Sequence, residues 1–185
     1  MMPFSATLDF RSGYLTPHEA TMTRRLSEMP GAYADTEAAR RLINDAGDPV
    51  IYHAFDAPVP EERDHLVYRT TIISPGRVGA EYFMTKGHHH QRDSAEFYLG
   101  MAGSGLMVLQ DRSGDLRVEP LTPGVSVYVP PGWAHRTVNT DDDDDLVFLA
   151  VYLGDAGHDY ASIERDGFTA RVFATGEGPE VVTAG

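Results

Sequence analysis

A chain of 185 residues, 42% apolar and 10% aromatic, has room for one domain with a true core and short arms. Its 15 basic and 28 acidic residues leave a net charge of −13, which argues against nucleic acid or an anionic membrane as a partner, since both select a basic face. The absence of cysteine removes disulfides, thiolate metal sites and cysteine nucleophiles together.

Met1 to Phe10 lack a basic n-region and a long apolar run, so no signal peptide is expected and a cytoplasmic location is. No window approaches the ~18 apolar residues of a membrane span. Thr16-Pro17-His18-Glu19 offers an N-cap, a proline at the first helical position and a glutamate three residues on. Met22, Leu26 and Met29 follow at helical spacing, which predicts a helix up to Pro30-Gly31. A second helix is predicted from Thr36 or Glu37 to Ala46, with Ala39, Leu42 and Ile43 as its apolar stripe and Gly47 as its C-terminal cap. Residues 1–48 are therefore expected to form an arm with two short helices that packs on the rest of the chain or on a partner.

From Pro49 the chain becomes short apolar runs with Gly/Pro punctuation. Strands are predicted at Val50–Phe55, Leu66–Ile73, Ala80–Thr85, Glu96–Met101, Gly105–Gln110, Leu116–Pro120, Val125–Val129, His135–Asn139 and Leu146–Tyr152. Such spacing over residues 49–175, with almost no helix, predicts an all-β antiparallel jelly roll, which buries one face of every strand and limits open edges. Asp141 to Asp145 reads as a solvated hairpin loop, because like charges without spaced partners stay in water. Residues 176–185 are expected to be a flexible tail.

Chemistry concentrates in Thr85-Lys86-Gly87-His88-His89-His90. On a strand His88 and His90 share a face, and His89 takes the other as a structural residue. With Glu96 a short loop away, they supply two imidazoles and a carboxylate for a divalent cation. A second motif, Pro130-x-Gly132-x-x-His135-x-x-x-Asn139, turns a tight corner and delivers His135 at the start of a strand as the fourth candidate ligand.

These two motifs resemble those of the cupin superfamily: His88, His90, Glu96 and Gly103 match the first, and Gly124 through Asn139 the second. The fold so implied is a double-stranded β-helix, the cupin barrel. Five residues separate His90 from Glu96, more than in many cupins. Longer blocks narrow the resemblance to the cupin-type phosphoglucose isomerases. They are Arg24 to Met29, Thr70-Thr71, Phe83 to His88, Ala95 to Tyr98, Tyr128 to Pro131, Trp133 to Asn139 and Asp155 to Tyr160.

That resemblance implies interconversion of glucose 6-phosphate and fructose 6-phosphate, one divalent metal ion per subunit, and a homodimer. Fe2+ comes first as the ion; Ni2+, Mn2+, Zn2+ and Co2+ also suit mixed nitrogen and oxygen ligation. It implies His88, His90, Glu96 and His135 as ligands, Glu96 as proton shuttle, and His158 as an aid to ring opening. Because the acidic chain repels a phosphate overall, neutral donors are expected to hold it, and the resemblance implies Thr71, Thr85, the Gly87 N–H, Tyr152 and Tyr160 as those donors. Tyr98, two residues after Glu96 on the same face, is expected to line the pocket, whereas Lys86 is expected to point away from it. His18, His53 and His65 are expected to be ordinary. The alternatives are an isomerase that also takes mannose 6-phosphate, a metal-dependent dioxygenase, or a non-catalytic sugar-binding cupin.

Overall fold

The computed structural model describes residues 1–183. The chain opens with β1 (Thr7–Leu8), β2 (Leu15–Thr16), β3 (Ala20–Arg25), a 3₁₀ turn at Leu26–Glu28, α1 (Thr36–Asp45) and β4 (Val50–Asp56). It continues through β5 (Leu66–Ile73), β6 (Arg77–Val78), β7 (Glu81–Tyr82), β8 (His89–His90), β9 (Glu96–Ala102), β10 (Gly105–Asp111) and β11 (Leu116–Leu121). Then come β12 (Ser126–Val129), β13 (Trp133–Asn139), β14 (Leu146–Leu153), β15 (His158–Asp159), α2 (Tyr160–Asp166), β16 (Ala170–Thr175) and β17 (Gly178–Thr183).

All the pairings are antiparallel. Six strands form one sheet in the order β12-β9-β14-β5-β4-β3. Facing it are β11-β10-β13, joined through single bridges from Val138 to Met84 and from His135 to His88, and the short pair β15-β8. A further sheet, β17-β16-β7-β6, closes one end. The core lies between the layers: Ile51, Ile73, Met107, Leu121 and Leu146 are fully buried and belong to one apolar cluster with Phe83, Met84 and Phe148. This is the antiparallel jelly roll that the strand spacing predicts, in the double-stranded β-helix form that the resemblance implies. Gly100 and Gly103 allow the layers to approach, since a Cβ at either would stand 2.2 Å from a carbonyl oxygen, of Thr122 and Asp145 respectively.

The arm differs from expectation. No α-helix forms over residues 16–29, only the 3₁₀ turn at Leu26–Glu28: Thr16 ends β2, the Thr16-Pro17 peptide is cis, and Ala20–Arg25 is a strand paired along β4. Met22 and Arg24 turn inward while Thr21, Thr23 and Arg25 face solvent. That period of two, with β-branched threonines, suits a strand as the edge of β4 becomes available. The second helix is present at α1, where the Asp35 side chain accepts from the Ala38 N–H at 2.8 Å. It lays Ala38, Ala39, Leu42 and Ile43 against the core. Because β3 extends the main sheet, the division at residue 48 is not a structural boundary. Residues 178–183 form β17, a hairpin with β16, rather than a loose tail; Ala184 and Gly185 lie outside the described residues.

Candidate active site

The site is assembled where β9, β13 and the segment before β8 meet. The strand expected over residues 80–85 stops at Tyr82, and the chain runs irregularly from Phe83 to His88. Gly87 has φ +75°, and a Cβ there would lie 2.7 Å from Phe168, 3.0 Å from the Arg136 Cβ and 3.1 Å from the His135 carbonyl. A residue without a side chain is needed at this crossing. Beyond it, His88 and His135 exchange backbone hydrogen bonds in both directions, at 3.2 and 3.1 Å. The two histidines are thus pinned together by main chain although 47 positions separate them.

Each imidazole is oriented from behind. His90 Nδ1 donates to the Ser94 carbonyl at 2.9 Å, and His135 Nδ1 to that of Trp133 at 3.2 Å. Those bonds fix each ring with Nε2 turned inward, where His90 Nε2 is hydrogen-bonded to Glu96 Oε2. Both Nε2 atoms face the same carboxylate oxygen: Glu96 Oε2 is 3.0 Å from His90 and 2.9 Å from His135. His88 Nε2 is buried with no partner, and His135 Nε2 has none in hydrogen-bond geometry. The four candidate ligand atoms all lie within 4.8 Å of one another. Three imidazoles turned onto one carboxylate in a buried site form an arrangement that a cation completes by taking the place of the shared proton. Hence the residues present fit a divalent metal ion.

The local electrostatics are dominated by Glu96: burial would lower the His90 imidazole, but the hydrogen bond to Glu96 and its charge raise it. Burial alone would raise the Glu96 carboxyl, but His135, then His90 and His88, hold it well below the usual carboxylate range. Burial and the neighbouring His135 keep His88 well below the ordinary imidazole value, so it is neutral and able to ligate.

Above this floor, one pocket gathers nearly all the expected residues: Thr71, Thr85, Gly87, His88, Glu96, Tyr98, His135, Tyr152, His158 and Tyr160 line it. His90 stands just behind, buried. The cavity they enclose is small, about 50 Å³. The pairing of His158 with His90 brings the β15–α2 segment over the site. There the His158 ring stacks on Tyr160 at 5.7 Å and sits 4.5 Å from His88. Thr85 Oγ1 accepts the Thr137 N–H at 3.0 Å, which leaves its own proton for a ligand. Tyr152 donates to Glu61 at 3.3 Å, and burial raises its phenol far above the ordinary value despite Arg69. The Tyr98 phenol is likewise pushed well up, by burial and then Glu96, so both act as neutral donors.

Two cations at the rim go beyond expectation. Lys86 does not point away: with no strand at 85–87 the alternation fails, and its ammonium pairs with Glu164 and lies 5.3 Å from the Tyr160 ring centroid. Arg69 also lines the pocket, its guanidinium 2.7 Å from Asp56 and 5.6 Å from the Tyr152 ring centroid. Arg69 stands two before Thr71 on β5, a spacing that puts both on one face and could have revealed it. His89 is buried behind the site, in keeping with a structural role. His18 and His53 bond to the Leu15 carbonyl and the Thr23 hydroxyl, away from the pocket, and His65 is not among its lining residues.

A family profile described as Glucose-6-phosphate isomerase (GPI) matches residues 23–182. Glucose-6-phosphate isomerase from Thermococcus litoralis is 45% identical over 168 residues, covering 90% of this chain and 87% of that protein. The Thermococcus onnurineus protein of the same name is 42% identical over 181 residues, 97% of this chain and 94% of its own. That of Sinorhizobium medicae is 36% identical over 178 residues, 95% and 83% of the two chains. Among solved structures, oxalate decarboxylase from Bacillus subtilis aligns over 58% of this chain and 26% of its own, with 21% identity and a TM-score of 0.46. A profile match that runs from β3 into β17, with relatives this similar along nearly their whole length, shows that the chain belongs to the glucose-6-phosphate isomerase family.

Proposed function

We propose that the protein interconverts glucose 6-phosphate and fructose 6-phosphate at a divalent cation held by His88, His90, Glu96 and His135. Fe2+ is the first candidate; Ni2+, Mn2+, Zn2+ and Co2+ suit the same donors. The observation that carries this reading is the convergence of three imidazoles and one carboxylate beneath a rim of hydroxyls and cations. The bound ion would supply Lewis-acid polarisation of the oxygens at C1 and C2 of the open-chain sugar.

The remaining work falls to the chain. His158, whose ring lies 4.5 Å from that of His88, takes the proton of the anomeric hydroxyl and returns it to O5 as the C1–O5 bond breaks. Glu96 moves the proton between C2 and C1, through Oε1, the oxygen that does not face His90 and His135. Tyr98, two positions along β9, keeps its proton and lines the same wall. At the mouth, the Thr71 and Thr85 hydroxyls, the Gly87 N–H and the phenols of Tyr152 and Tyr160 hold the phosphate. Lys86 and Arg69 add the positive charge that an acidic protein otherwise lacks. A homodimer working in the cytoplasm, in glycolysis and gluconeogenesis, belongs to the same reading. Support for the dimer comes from Phe97 and Tyr128, cross-strand neighbours that expose 39% and 65% of their surface.

A coupled assay of fructose 6-phosphate conversion, before and after chelation and with single metals restored, tests the proposal. Activity should vanish on chelation and return with the ion. Full activity in metal-free protein would refute the metal reading, and conversion of neither sugar phosphate would refute the reaction. Mannose 6-phosphate in the same assay decides whether the sugar site is shared.

A further inference from the structure

Lys86 also lines a second cavity, of about 240 Å³, between α2, the turn at residues 30–32 and the start of β16. Its charged lining is Lys86, Arg136, Arg165 and Arg171 against Glu164 and Asp166. Three of the four cations have their own carboxylate: Lys86 pairs with Glu164, Arg165 with Asp166 at 2.7 Å, and Arg171 with Glu81 at 2.8 Å. Arg136 pairs with none among the described residues. It is only 5% exposed, its face lies 4.0 Å from the Phe168 ring centroid, and its Nε has no hydrogen-bond partner. Nη2 donates to the Lys86 carbonyl at 3.3 Å, and Nη1 finds only the Met84 sulfur at 3.1 Å. Glu81 is already committed, with Oε1 on Arg171 and Oε2 accepting the Ala34 N–H. The charge of Glu81 reaches Arg136 but is shared with Arg171, so the buried guanidinium is left under-compensated, and a cavity at its side is where a further counter-charge would sit.

We propose that this cavity is a second anion site, separate from the sugar pocket, which takes a small doubly charged oxyanion. Arg136 is its buried counter-charge, with Arg171 beside it and Arg165 at the mouth. The volume lies below the ~300 Å³ at which drug-sized pockets begin, so inorganic phosphate or a short dicarboxylate fits and a nucleotide does not. In a chain of net charge −13, a cavity whose cations outnumber the carboxylates around them by one, with Glu81 counted beside Glu164 and Asp166, is a selective feature rather than a general field.

The site does not depend on the reaction proposed above; its test rests on that reading only for the ligand that blocks the sugar pocket, and the Arg165→Glu comparison, at a residue outside that pocket, tells failure of one from failure of the other. Holoprotein with its sugar pocket saturated by 6-phosphogluconate is titrated with inorganic phosphate, and separately with succinate, at constant ionic strength. Wild type should bind one further dianion per chain, and the anion that binds names the class. Arg136→Met should weaken it at least tenfold; replacing a lone buried charge by an apolar residue of similar volume is compatible with folding. Arg165→Glu, at an exposed position, should weaken it several-fold in a protein whose fold is untouched, and it decides the matter if Arg136→Met does not fold. Binding of neither anion to wild type overturns the proposal, as does binding that Arg165→Glu leaves unchanged.

Discussion

Gly87 shows how little freedom the site leaves to single residues. An alanine there must hold φ +75° and place its Cβ within 3.1 Å of three neighbours, one of them the main chain of His135. Gly87→Ala should therefore cost roughly 2–4 kcal/mol in urea unfolding and depress activity, because His88 moves with its neighbour. Unchanged stability would mean that the crossing is looser than its contacts suggest. For Glu96, the conservative Glu96→Gln should lower kcat by about 10²–10⁴ while the affinity for 6-phosphogluconate changes little. Near-normal turnover, in a variant shown to retain its metal, would remove Glu96 as proton shuttle. At this scale the sequence was most legible where spacing carries geometry: the candidate ligands His88, His90, Glu96 and His135 come together as their motif order implies. It was least legible at Lys86, whose direction was inferred from a strand that ends at Tyr82. Periodicity applies only inside a regular element.

Among elements, eight of the nine strands expected between residues 50 and 152 lie within two residues of their expected bounds, the exception being 80–85, which stops at Tyr82. β3 shows the opposite case. Thr16-Pro17-His18-Glu19 carries good helix-start chemistry, yet the exposed edge of β4 captures residues 20–25. Local propensity loses there to pairing that a sequence window cannot contain. At α1 local chemistry and tertiary packing agree, and Asp35→Ala should cost about 1 kcal/mol by removing the bond to the Ala38 N–H, read by thermal or urea unfolding. The aspartate run forms a hairpin turn organised from within: Asp141 Oδ1 accepts the N–H groups of Asp143 and Asp144. Asn139 anchors this turn, donating to the carbonyls of Ile73 and Asp144 and accepting from the Asp141 N–H. Its side chain is fully buried, so Asn139→Ala should destabilise by about 2–4 kcal/mol, with the metal content of the folded fraction unchanged. Loss of metal without loss of stability would instead place Asn139 at the site.

For the molecule as a whole, the ion and the fold should be linked but not inseparable. An ion present at 100 times its dissociation constant contributes about 2.7 kcal/mol, so chelation should lower the Tm by roughly 5–10 °C. A cooperative transition should persist in the metal-free protein, since the apolar cluster between the two layers does not involve the ligands. The reciprocal main-chain bonds between His88 and His135 carry a further meaning. They clasp two of the four donors before any ion arrives, so the cage need not be built around its guest as in a zinc finger. Loading and unloading can then proceed in the native state, and the element found in a purified sample would reflect the growth medium and buffers it passed through.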